Sequence, residues 1–184
     1  MFAGTISLRP SQNDYDWLGH GIYFWENNPQ RALDYALQLQ ARPERSRSRI
    51  VNPAVVGAVI DLGRCLNLID AHHLRLVKDA YETLLAHGRQ AGTAMPKNRR
   101  PKGSREWLLR PLDCAVIETL HRVREEQALP DFESVRGAFI EGPLLYAGAG
   151  FHERTHIQIC VRSLRCIQGY FRVLSEPPGE LSPE

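Results

Sequence analysis

Short apolar runs rich in strand-forming residues stand near both ends of this 184-residue chain, and helical spacing fills most of the stretch between them. The first run, Gly19 to Trp25, holds Ile22, Tyr23, Phe24 and Trp25, all good strand formers. Asn28-Pro29 then reads as a helix start, with an Asn cap and Pro at the first helical position. Ala32, Tyr35, Ala36 and Leu39 continue at helical spacing to about Gln40. Pro53 to Leu62 reads as a largely buried strand. Leu66 to Gly88 reads as a helix with Asp70 as a cap and Leu74, Val77, Tyr81, Leu84 and Leu85 on its buried face. A further helix is expected from about Leu112 to Gln127, with Ala115, Val116, Leu120 and Val123 inward.

The last third returns to the strand period. Val135 to Ile140, Leu144 to Ala147, Thr155 to Val161 and Ile167 to Leu174 are expected strands, and Gly142-Pro143 is a turn. Strands at both ends with helices between them predict an α+β fold: split, mostly antiparallel β-sheets with helices inserted in the middle, about residues 66–128. One domain is expected over 1–174, followed by a Pro-rich disordered tail, 175–184.

Composition narrows the partners only a little. A net charge of +2 is too small to mark a strongly basic nucleic-acid binder, although basic loops are expected at 41–49 and 90–105. No apolar run approaches the roughly 18–20 residues of a membrane span, and residues 1–5 lack the character of a secretory signal. Cys65, Cys114, Cys160 and Cys166 lie in apolar stretches without metal-ligand spacing, which predicts free thiols in a cytoplasmic protein. His72-His73 is expected to decorate a helix; no metal site is expected.

Two stretches hold residues suited to chemistry. In Gly19-His20-Gly21-Ile22-Tyr23-Phe24, glycine permits close backbone approach, and alternation lets Tyr23 line a pocket while Ile22 and Phe24 pack behind it. Tyr23 also has a plainer reading, as a core aromatic on a buried strand. By the same alternation, His20 falls on the other side from Tyr23. In Thr155 to Val161, His156 and Gln158 share one strand face while Ile157, Ile159 and Val161 point between the sheets. Each of that pair also has a plain structural reading. Glu141, after a buried strand and before a turn, is a rival carboxylate or a turn-stabilising residue.

Gly19 to Phe24 with the helix opening at Asn28-Pro29 resembles the tyrosine-bearing strand and following helix of the ADP-ribosyltransferase superfamily, in the diphtheria-toxin and poly(ADP-ribose) polymerase class. The resemblance implies NAD as substrate, cleaved at the nicotinamide bond, with one ADP-ribose transferred to a protein or nucleic-acid target. Tyr23 would stack on nicotinamide, with Gly21 and Ile22 shaping the pocket. Gln158 would orient the ribose where family members have a carboxylate, with His156 beside it. Arg31 stands where polymerases have a serine that bonds the carboxamide. Asp34 stands where they have a second stacking tyrosine, and Tyr35 lies one residue beyond. Loop 148–154 would present Glu153 or Arg154 to the target.

The family's His-Gly strand has no counterpart before Gly19, where no histidine occurs. Gln158 can bond a ribose hydroxyl, but it lacks the charge that stabilises an oxocarbenium-like state. The resemblance further implies a toxin or defence effector with a neutralising antitoxin. Two other readings stand beside it: a catalytically impaired binding module of the same fold, and an RNA-directed transferase, supported by the basic loops.

Overall fold

The structure is a computed structural model and describes residues 8–45, 49–101 and 107–173. The expected tail, and residues 46–48 and 102–106 of the two basic loops, lie outside the described residues. The elements in chain order are β1 (Ile22–Trp25), α1 (Pro29–Ala41), β2 (Val56–Ile60), β3 (Cys65–Asn67), α2 (Ala71–Ala91), α3 (Pro111–Glu126), β4 (Ser134–Phe139), β5 (His156–Val161) and β6 (Ile167–Arg172). They form two open sheets, one of order β1-β5-β4-β3 and one of β2-β6. Every strand pair is antiparallel except β3 with β4. Parallel neighbours need a long crossover, and α2 and α3 supply it. The fold is α+β, as the change of period predicts.

Strand alternation sorts the core into two halves. Leu66, Val135 and Cys160 stand in register across the larger sheet. They are enclosed with Leu18, Ala80, Val116, Ile117, Leu120 and Phe132. Ile22, Ile159 and Val161 occupy the opposite face and pack with Cys166, Ile60, Leu62 and Ile167 from the direction of the smaller sheet. The larger sheet therefore lies between the helical pair and β2-β6. Ile159 and Val161 are between the sheets as expected, whereas Ile157 is only half-buried.

Several element boundaries need correction. Leu66 belongs to β3, a three-residue strand, and the helix begins at Ala71. Asp70 does cap it, accepting from the backbone N–H groups of His72 and His73 at 2.7 and 3.3 Å. Gly88 does not end α2. The helix continues to Ala91, and Gly92 stops it with φ of 63°, a conformation glycine adopts without a steric cost. Leu144–Ala147 is not a strand; only Leu144 pairs, with His152. The side chain that caps α3 comes from Asn98, whose Oδ1 accepts from the Leu112 and Asp113 N–H groups at 3.0 and 3.3 Å.

The four cysteines are free, with Cys114, Cys160 and Cys166 buried and Cys65 partly so. Burial pushes the Cys160 thiol up to about 12, and burial followed by Glu118 pushes Cys114 up to about 11, so both are held protonated.

His121 on α3 gives the fold an acid-sensitive point. Its ring lies edge-on to Phe132, the residue is 7% exposed, and Nε2 has no partner among the described residues. Burial, and then Arg162, lower its pKa from 6.5 to about 4. In this window the unfolded chain binds a proton that the folded chain refuses. The contribution is therefore complete above pH 6.5 and is lost as pH falls toward 4. We expect this group to remove about 3 kcal/mol over that interval. Denaturant midpoints at pH 7, 5.5 and 4 measure it, and His121→Leu is expected to flatten the slope. Glu118 acts lower. Burial raises its carboxyl, but hydrogen bonds from Arg162 and the His20 N–H outweigh this and hold it below 4.5.

Candidate functional site

The two motifs come from opposite ends of the chain and meet on neighbouring strands. β1 pairs with β5 so that Tyr23 lies across from Cys160 and Trp25 across from Gln158. β5 pairs in turn with β4, setting Gln158 beside Gly137 and His156 beside Phe139. Directly paired residues share a face. Tyr23, Trp25, His156 and Gln158 therefore lie on one face of the larger sheet. Ile22 points to the other face, into the core between the sheets.

The glycines of the first motif are explained by the protein's own packing. A Cβ at Gly21 would stand 2.5 Å from Cys160 Sγ and 2.6 Å from the Val161 carbonyl oxygen. Gly21 also exchanges two backbone hydrogen bonds with Ser11, at 2.7 and 3.1 Å. At Gly19, φ is 78° and a Cβ would meet Glu118 and Ile117 of α3.

Tyr23 is half-buried against the core beneath α2 and α3. Its hydroxyl donates to the Gly19 carbonyl at 2.7 Å and accepts from the Leu18 N–H at 2.9 Å. Burial, then Cys160, push its pKa well above the ordinary range. Tyr23→Ala would therefore open a core cavity, and Tyr23→Phe is the cleaner probe of its hydroxyl. His20 engages α3, with Nδ1 3.7 Å from Glu118 Oε2 and Nε2 4.0 Å from Cys114 Sγ.

Helix α1 closes the other side. Asn28 accepts from the Arg31 N–H at 3.0 Å, which fixes the first turn as the sequence predicts. Arg31 is buried and donates through Nη2 to Glu141 Oε2 at 2.8 Å, both side chains being 10% exposed. Tyr35 lies one turn beyond Arg31 and sets its ring 5.1 Å from that of Trp25. Asp34 instead accepts from Gln30. His156 is 5% exposed, with its ring 5.8 Å from Phe139 and 6.4 Å from Trp25. Its Nδ1 meets the Arg154 carbonyl at 2.7 Å, and the Arg154 N–H bonds the Glu141 carbonyl at 3.0 Å. Arg31, Glu141, Arg154, His156, Trp25 and Tyr35 thus follow one another around a cluster beside Gln158.

Sequence reasoning missed Trp25 and undervalued Glu141. Trp25 had a signal, being two residues from Tyr23 on the same strand face. Glu141 had none, since its partner lies 110 residues away.

The β4–β5 connection leaves several apolar side chains exposed. Ile140, Leu144, Leu145, Tyr146 and Phe151 are all exposed, Phe151 at 66%. Glu153 is tied by its N–H to the Pro143 carbonyl at 3.1 Å. Among the described residues no group of three His, Cys, Asp or Glu side chains could hold a metal ion. His73 Nδ1 accepts from the Asn67 N–H at 3.2 Å, a structural bond. Nor is any helix among the described residues long and apolar enough to cross a membrane. Comparison with protein-family models, with curated proteins and with solved structures finds no match to this chain.

Proposed function

We propose that the chain is an ADP-ribosyltransferase-like enzyme that cleaves NAD at the nicotinamide bond and passes one ADP-ribose unit to a macromolecular target. The observation that carries this reading is the pairing of β1 with β5, which puts Trp25 across from Gln158 and Tyr23 on the same face. In this reading Tyr23 and Trp25 form the aromatic wall and Tyr35 closes it from α1. Arg31 faces the carboxamide, Gln158 holds the nicotinamide ribose, and His156 shapes the floor. The exposed apolar side chains between β4 and β5 support a macromolecular target, with Glu153 and Arg154 in the same connection. A role as a toxin or defence effector, with an antitoxin as partner, rests on the sequence resemblance alone.

One observation favours a second reading, a binding module that holds a nucleotide without cleaving it. Gln158 carries no charge, and the carboxylate within the cluster, Glu141, is already paired with Arg31. NAD labelled on its adenylate and added with this chain to a cell lysate separates the two. Nicotinamide release with label on protein or nucleic acid is the expected result and identifies the target class. Release without label would make the chain a glycohydrolase. Tight NAD binding with neither signal would establish the binding module.

A further inference from the structure

Among the described residues, Arg31 Nε, Arg31 Nη1, Trp25 Nε1 and His156 Nε2 are buried atoms of the cluster without a hydrogen-bond partner. The first three are donors. His156 Nδ1 lies 2.7 Å from a carbonyl oxygen, which can only accept, so Nδ1 is the donor of that bond. In the tautomer this bond selects, Nε2 presents a lone pair. The cluster thus has unmet donors together with an unmet acceptor, and Arg31 and His156 are themselves buried.

That combination selects among ligand groups. An oxyanion would satisfy the donors, but it would set a negative charge beside Glu141 and leave the His156 lone pair unmet. A primary carboxamide offers an accepting oxygen and two N–H hydrogens on one small planar group. Its oxygen suits the Arg31 and Trp25 donors, and its nitrogen suits His156 Nε2 or the Glu141 carboxylate.

We propose that Arg31, Trp25, Glu141 and His156 form a carboxamide subsite in which Glu141 determines specificity by excluding the corresponding carboxylate. The inference rests on the NAD reading above and sharpens it, since the carboxamide would be that of the nicotinamide ring. Arg31 reads the oxygen, Glu141 repels an acid placed at the same point, and each holds the other in position across 2.8 Å.

The test compares NAD with its acid analogue, in which a carboxylate replaces the nicotinamide carboxamide, by titration calorimetry on the full chain. The unaltered protein is expected to bind NAD about 10- to 100-fold more tightly than the acid analogue. Glu141→Gln keeps an oxygen for Arg31 Nη2 and removes the charge. It is expected to narrow the ratio to about threefold or less, mainly through a gain in affinity for the acid. Equal binding of both dinucleotides by the unaltered protein overturns the subsite while leaving the NAD reading in place. Retention of the full preference by a folded Glu141→Gln chain does the same. Binding of neither dinucleotide overturns the NAD reading and the subsite together. The comparison on the unaltered protein decides the matter even if the variant does not fold.

Discussion

Arg31→Met is expected to lower the stability of this protein by about 3–5 kcal/mol, whereas Arg31→Met combined with Glu141→Leu restores most of the loss. The two side chains meet at 2.8 Å with only 10% of each exposed. A pair so placed has already met the cost of leaving water, and each charge is the other's compensation. Removing Arg31 alone leaves Glu141 buried without its guanidinium. Removing both leaves two apolar side chains of similar length, and such replacements are often neutral in buried pairs. Urea denaturation of the single and double variants gives the answer, and a single-variant loss below about 1 kcal/mol would show that Glu141 is readily rehydrated. The double variant has a second use. Folded but lacking both charges, it separates what the pair does for stability from what it does for a ligand.

The second large effect is expected at Gly21. A Cβ there would lie 2.6 Å from the Val161 carbonyl oxygen, which is backbone and cannot turn aside. Gly21→Val therefore has to part β1 from β5 or displace Cys160, which is fully buried. A loss of about 3 kcal/mol or more is expected. Gly150 is the control, because among the described residues no atom beyond its chain neighbours lies within 4 Å of its Cβ position; Gly150→Ala is expected to change stability by about 0.5 kcal/mol or less. Thermal melts of the two variants make the comparison, and near-equal midpoints would contradict the packing described. The result bears on how the motif is read. Glycine next to a pocket-lining strand is easily taken as room for a ligand, yet here the space belongs to β5.

Much of the fold is legible in the sequence because most of its elements keep a clean period over enough residues. Asn28-Pro29 marks the start of α1, the apolar stripe of α3 is regular, and β4 and β5 are short runs of strand-forming residues. β3 is hidden because its three residues run directly into the capping Asp70, so their apolar character blends into the helix pattern. Gly88 reads as a helix end since glycine is a poor interior residue, but tertiary packing carries α2 past it to Gly92. Leu144 to Ala147 alternates poorly and makes one bridge only.

The site is less legible than the fold. His156 and Gln158 follow from alternation, and the same rule reaches Trp25 from Tyr23. Tyr35 meets Trp25 whereas Asp34 bonds Gln30, because the helical phase of α1 decides which side chain turns toward β1. The Arg31–Glu141 pair depends on how α1 lies against the end of β4, and no local pattern encodes that. Asn98 capping α3 has the same cause, a contact made by a loop 14 residues upstream.

The most direct test of the central claim is nicotinamide release from NAD by the purified chain, measured beside Gln158→Ala. Gln158 is half-buried on β5, and its truncation is expected to leave the fold intact. The account predicts release by the unaltered chain and a fall in kcat of roughly 10- to 1,000-fold in the variant, the range for losing one group that orients substrate in the transition state. Release unchanged by Gln158→Ala would place the chemistry elsewhere on the molecule. No release from the unaltered chain, at NAD concentrations where binding is saturated, would contradict the enzymatic account and leave the β1–β5 face as a binding site.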